Sequence, residues 1–111
     1  MRETTKGRRP EMIHFAAPFT SLAQTVAAVE NGGAFGGQGF FGISVQIDGI
    51  VTNDIVQIEA KNVDELAFVQ VGSDIIADGL YAVEPGSRYY RAIVSDKTGG
   101  GLISAVFVGS D

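Results

Sequence analysis

From Phe40 onward, apolar and polar residues alternate with a period of two. Ile43, Val45 and Ile47 alternate with Ser44, Gln46 and Asp48, and Val56, Ile58 and Ala60 alternate with Gln57, Glu59 and Lys61. Successive side chains of a strand point to opposite faces, so each run predicts a strand with one dry face and one wet face. Residues 66–71, 75–83, 89–95 and 102–108 continue the series. Asp48-Gly49 predicts a two-residue hairpin, and Asn62, Gly72-Ser73-Asp74, Pro85-Gly86-Ser87 and residues 98–101 read as turns.

The N-terminal third reads differently. Met12, Ile13, His14 and Phe15 form a short strand pattern ahead of Pro18. One short helix is predicted near residues 20–32. Ser21 and Gln24 fit a capping box, Leu22, Val26 and Val29 recur at helical spacing, and Asn31-Gly32 makes a stop. The β-branched Thr25, Val26 and Val29 pull the other way. Many short strands with a turn about every ten residues predict an all-β sandwich or barrel, with the jelly roll as the leading form. The sequence Val-Gly-Ser-Asp occurs at 71–74 and again at 108–111, which reads as two strands that end alike.

The chain has 111 residues, enough for one domain burying roughly 65% of the surface its unfolded form exposes. Apolar residues make up 45% of it, so a core needs neither disulfide nor metal, and there is no cysteine. Glycine is 15 of 111, about twice its usual share of ~7%, which suits a turn-rich β protein. No run approaches the ~20 apolar residues of a membrane span, and none after the N-terminus has the length of a signal-peptide core. The expectation is synthesis in the cytoplasm and no membrane partner.

Charge divides the chain in two. Residues 1–10 form a basic arm, with Arg2, Lys6, Arg8 and Arg9 against Glu3 and only Met1 to bury. Such a segment is expected to be flexible in isolation. Residues 11–111 form the predicted sandwich domain, and they hold twelve of the thirteen acids. An acidic body is a poor nucleic-acid surface, so no nucleic-acid partner is expected. Three uses of the arm stand: a solvated tail, a segment that orders on an acidic neighbour, or a phosphate binder.

Catalytic and cofactor motifs fare poorly when their physics is applied. Gly37-Gln38-Gly39-Phe40-Phe41-Gly42 spells the dinucleotide fingerprint, but that motif needs a strand before it and a helix after it. Here a strand pattern follows, so a bent glycine loop is expected. Lys97-Thr98 precedes its glycines, where a phosphate loop needs them first. His14 is the single histidine, and no nucleophile elbow occurs. Acids are spread over turns and wet faces, and Asp74 and Asp78 lack the calcium-loop spacing. No catalytic residue, metal site or cofactor is assigned, and the chain is expected not to be an enzyme.

Arg88-Tyr89-Tyr90-Arg91 places one tyrosine and one arginine on each face of a strand. Both residue types are enriched at binding hot spots. The alternative is that one tyrosine caps the core while the arginines reach out to water. Tyr81, Tyr89 and Tyr90 also suit stacking on sugars.

A short basic arm, a glycine-rich β-sandwich of this length and no catalytic set together resemble the capsid decoration (cement) proteins of tailed bacteriophages, among them the staple proteins of the epsilon15-like phages. The resemblance spans the whole chain and rests on length and texture. It implies a jelly-roll-like domain on the capsid exterior of the virion. There it would bind the major capsid protein as a homo-oligomer, most simply a dimer, and staple neighbouring subunits. Candidate interface residues are Arg2, Lys6, Arg8, Arg9, Phe35, Phe40, Phe41, Arg88, Tyr89, Tyr90 and Arg91. A carbohydrate-binding or fibre-tip β-sandwich module is the alternative.

Overall fold

The computed structural model describes residue 15 and residues 17–26, 30–98 and 101–111. The described residues form nine strands, β1 (Phe19–Val26), β2 (Glu30–Asn31), β3 (Phe35–Gly36), β4 (Gly42–Asp48), β5 (Ile55–Lys61), β6 (Val69–Ile75), β7 (Gly79–Val83), β8 (Tyr89–Asp96) and β9 (Ile103–Ser110), and the alternation predicted from Phe40 onward is realised as β4 to β9. They form two antiparallel sheets. One has the order β1-β9-β4-β7; the other runs β2-β8-β5-β6, with β3 also on β8. With β2 and β3 taken as one broken strand, the chain pairs from its ends inward: β1 with β9, β2/β3 with β8, β4 with β7, β5 with β6. That is the connectivity of a jelly roll.

The core lies where the two inner faces meet. Ile43, Val45 and Ile47 of β4 and Ile103, Ala105 and Phe107 of β9 come from one sheet. Val56, Ile58 and Ala60 of β5 and Tyr90, Ala92 and Val94 of β8 come from the other. These are the apolar members of the period-two runs, and burying them supplies most of the driving force for closing the sandwich. Aromatic rings concentrate at one end. Phe35 stacks on Phe40 at 5.8 Å and on Phe107 at 5.3 Å, and Phe107 also meets Tyr90 at 6.5 Å.

The helix expected near residues 20–32 is absent from the described residues, and residues 27–29 lie outside them. Residues 19–26 are strand β1, with Leu22 fully buried and opposite Ala105 of β9. Ser21 is no helix cap. Its hydroxyl accepts from the Ala92 N–H at 3.0 Å and donates to the Gly33 carbonyl at 2.7 Å. It fills the gap that the break between β2 and β3 leaves in the β8 ladder. The strand won because sheet pairing and these buried bonds outweigh a weak local helix signal. Replacing Ser21 with alanine strands both backbone groups, and chemical denaturation should report a loss of about 1–3 kcal/mol.

Two turn readings and the reading of the repeated Val-Gly-Ser-Asp are also corrected. Asp48-Gly49 closes no hairpin, because β4 and β5 belong to opposite sheets. Gly49 has φ +95° and turns the chain across the sandwich, so close to β9 that a Cβ there would lie 1.9 Å from the Leu102 carbonyl oxygen. Gly72-Ser73-Asp74 is a bulge inside β6, with Gly72 at φ +76°. The Asp74 carboxylate clamps it by accepting from the Gln57 and Gln70 side-chain amides, and these bonds hold its pKa below the ordinary 3.8. The turn itself falls at residues 76–78. There Asp78 accepts from the Ile50 N–H, which lowers its pKa as well. The two Val-Gly-Ser-Asp copies therefore differ: one is a mid-strand bulge, the other ends β9, with Gly109 beneath the Phe40 ring.

Candidate interaction surface

The loops at the aromatic end of the sandwich bring several singled-out residues together. Gly37 to Phe40 is a tight turn closed by a Phe40 N–H to Gly37 carbonyl bond at 3.4 Å, with Gly39 at φ +90°. Positive φ at the third residue of such a turn is a glycine conformation. Gly37 is glycine for a second reason. A Cβ there would sit 2.3 Å from the ring of Tyr90, which is fully buried. The fingerprint-like motif thus opens strand β4, and its glycines serve a turn and a close packing contact.

That geometry sorts the two phenylalanines that follow. Phe40 turns inward against Phe35, half-buried over Gly109. Phe41 is thrown outward and is 84% exposed. Its N–H donates to the Ser110 carbonyl at 3.0 Å, which pins it beside the end of β9. On the other side of β9, Phe15 forms an isolated bridge with the same Ser110 and is 69% exposed. Two bare aromatic rings therefore flank one strand end. Sequence reasoning found Phe41 but treated Phe15 as an ordinary strand residue, since nothing in the local pattern marks a ring that its own fold leaves uncovered.

The tyrosine-arginine strand is divided by the sheet. Tyr90 faces the core, where its hydroxyl donates to the Glu84 carbonyl at 2.8 Å and accepts from the Ser87 N–H at 2.9 Å. It ties down the loop at 84–88. Tyr89 lies half-buried on the outer face with the Arg88 guanidinium 5.2 Å from its ring centre. Arg91 is committed within the domain: it pairs with Glu59 at 2.8 Å and lies 4.1 Å over the Phe68 ring, which Lys61 also covers at 4.7 Å. Arg88 remains exposed. It shares an open concavity of about 490 Å³ with Gln38, Phe40 and Asn62, and its N–H donates to Asn62 Oδ1 at 3.0 Å.

Of the candidate interface residues, Phe41, Arg88 and Tyr89 thus present surface at or next to this end, and Phe40 lines its concavity. Phe35 and Tyr90 are core residues whose side chains support the loops from below. Alternation decides this: Tyr90 shares a face with Ala92 and Val94, and Phe35 pairs opposite Tyr90. Arg2, Lys6, Arg8 and Arg9 lie outside the described residues, as does His14. Among the described residues, no group of three or more His, Asp or Glu side chains is placed to hold a metal ion.

No family model matches the chain, and no characterised protein matches it in sequence. Among solved structures, the SPBc2 prophage-derived protein YomS superposes with a TM-score of 0.74. The match covers 95% of this chain and 100% of that one, at 15% identity. The two share a fold. Identity this low carries the architecture and nothing finer.

Proposed function

We propose that this chain is an accessory structural protein of a phage particle. In this reading it binds the major capsid protein on the outside of the shell and staples neighbouring subunits. The observation that carries the reading is the pair of exposed rings, Phe15 and Phe41, each fixed by backbone bonding to Ser110. Bare phenylalanine in water is unfavourable, and burial against a partner releases roughly 1.5–3 kcal/mol per side chain. Because the backbone is already ordered by β9, docking adds little loop-ordering cost. The shared fold with a prophage-derived protein is consistent with a phage setting.

The mechanism is physical. A protein that binds the assembled shell and not its separated subunits stabilises the shell by mass action. A bivalent clamp on two subunits multiplies weak contacts through effective concentration. The sugar-binding alternative loses its premise, because Tyr81, Tyr89 and Tyr90 belong to different surfaces. Tyr90 is buried, Tyr89 is on the outer face of the β8 sheet, and Tyr81 bonds to the Ala77 carbonyl beside the β6–β7 flank.

The test is co-sedimentation with phage shells stripped of accessory proteins. Wild-type chain should bind saturably and raise the shell's melting temperature. Phe41→Ser should weaken binding by about 30-fold, a loss typical of a hot-spot aromatic. Its own unfolding midpoint should stay within about 1 °C of wild type, because an exposed ring contributes little to the fold. Failure to bind any such shell refutes the proposal.

A further inference from the structure

The sheet margins are not alike. An edge strand exposes unpaired N–H and C=O groups and will accept another strand unless a bulge, a break, a proline or a charge obstructs it. β1 shifts register against β9 twice, between Thr20 and Leu22 and between Leu22 and Val26. β2 and β3 have two residues each and are separated by a break. β6 carries the Gly72 bulge. β7 has none of these. It pairs with β4 from Gly79 to Val83 without a shift, it contains no proline or charged residue, and among the described residues nothing pairs with its other edge.

The surroundings of β7 suit a particular kind of strand. Beside it, toward β6, runs a cleft of about 380 Å³ whose wall includes Val71, Ile75, Tyr81 and Val83 and whose rim includes Asp74 and Glu84. Leu80 on β7 is 72% exposed. Residues 69–84 hold three acids, Asp74, Asp78 and Glu84, and no base. The complement is an extended segment that is apolar in part and basic. Residues 1–14 have that composition: four bases in the first ten positions, then Met12 and Ile13.

We propose that β7 accepts the N-terminal segment of a second copy of this chain as an added strand, with its arginines and lysine facing Asp74, Asp78 and Glu84. A second copy is the better donor for a geometric reason. Ser110 pairs with Gly42 on one side and Phe15 on the other, so Phe15, the first described residue after that segment, lies on the β1 side of β9. β9 and β4 stand between that point and β7. A two-fold exchange lets each copy give its segment and receive one, closing the assembly as a dimer. The inference does not depend on capsid binding, though such a dimer would supply the two heads a staple requires.

The experiment is sedimentation velocity on the full chain, over a range of concentrations and at two salt concentrations. A reversible dimer is expected, weaker at high salt because exposed charges are screened. Arg8→Glu with Arg9→Glu, and separately Leu80→Lys, should each raise the dimer dissociation constant by at least about tenfold. Leu80→Lys puts a cation on the edge that the basic segment must approach, and its unfolding midpoint should remain that of wild type. Mixing the two variants should restore partial association, since one intact segment and one intact edge remain. A chain that stays monomeric overturns the proposal, including one whose β7 amides lose exchange protection in the Arg8→Glu, Arg9→Glu variant, because that identifies the chain's own segment as occupant. A dimer indifferent to both variants overturns it too.

Discussion

Replacing Asp54 with alanine is expected to lower the stability of this domain by about 3–5 kcal/mol. The carboxylate is almost fully buried at the end of the sandwich opposite the aromatic loops. Its Oδ1 accepts from the Thr98 N–H at 2.9 Å, its Oδ2 accepts from the Val51 N–H at 3.1 Å, and Lys97 Nζ lies 3.3 Å from Oδ2. One side chain thus ties the β4–β5 crossing to the end of β8. Truncation removes a carboxylate from beside a buried ammonium and two acceptors from backbone donors at once. A buried pair is not strongly stabilising in itself, since desolvation offsets much of its attraction. Breaking it is what costs.

Denaturant unfolding should show the loss directly, and calorimetry should show a fall in midpoint on the order of 15 °C. Asp54→Asn should cost nearly as much, because the amide keeps one acceptor but loses the charge. Lys97→Met should cost less, since two backbone amides still hold the carboxylate. The double variant Asp54→Asn, Lys97→Met should recover part of the loss, with a coupling of roughly 1–3 kcal/mol. A cost below about 1 kcal/mol for Asp54→Ala would mean that water reaches the pair in solution.

Replacing Phe107 with alanine is the second large effect, at about 3–5 kcal/mol. The ring is fully buried on β9, stacked on Phe35 at an interplanar angle of 3°, with Phe35 in turn stacked on Phe40 at 7°. Alanine leaves a cavity that the flanking sheets cannot close without giving up register, so both the transfer term and the cavity term are lost. Phe107→Leu keeps most of the volume and should cost about 1–1.5 kcal/mol. The consequence reaches the surface. Phe40 rests on this column and sets Phe41 outward, so hydrogen exchange at residues 37–42 should rise in Phe107→Ala by more than at the far end of the sandwich. Uniform loosening would show that the loop is held by its backbone bonds alone.

Much of this was legible along the chain. The dry faces of β4, β5, β8 and β9 follow from period-two alternation, because side-chain direction in a strand is a local property. The acidic body, the basic first ten residues and the absence of thiol chemistry are matters of composition, and the turn at Gly37–Phe40 announces itself through its glycines. Tertiary structure alone decided the rest. Which strand faces which, and hence that Asp48-Gly49 crosses between sheets instead of closing a hairpin, depends on partners far away in sequence. So does the fate of residues 20–26, where pairing with β9 overrode a helical spacing. Tyr89 and Tyr90 are adjacent and chemically identical, yet one is wet and one is dry, because only the closed sandwich says which face is inside. The Asp54–Lys97 contact spans 43 positions and the Ser21–Ala92 bond spans 71, so no local pattern records either. Alternation determines that faces exist; register and closure determine what each face meets.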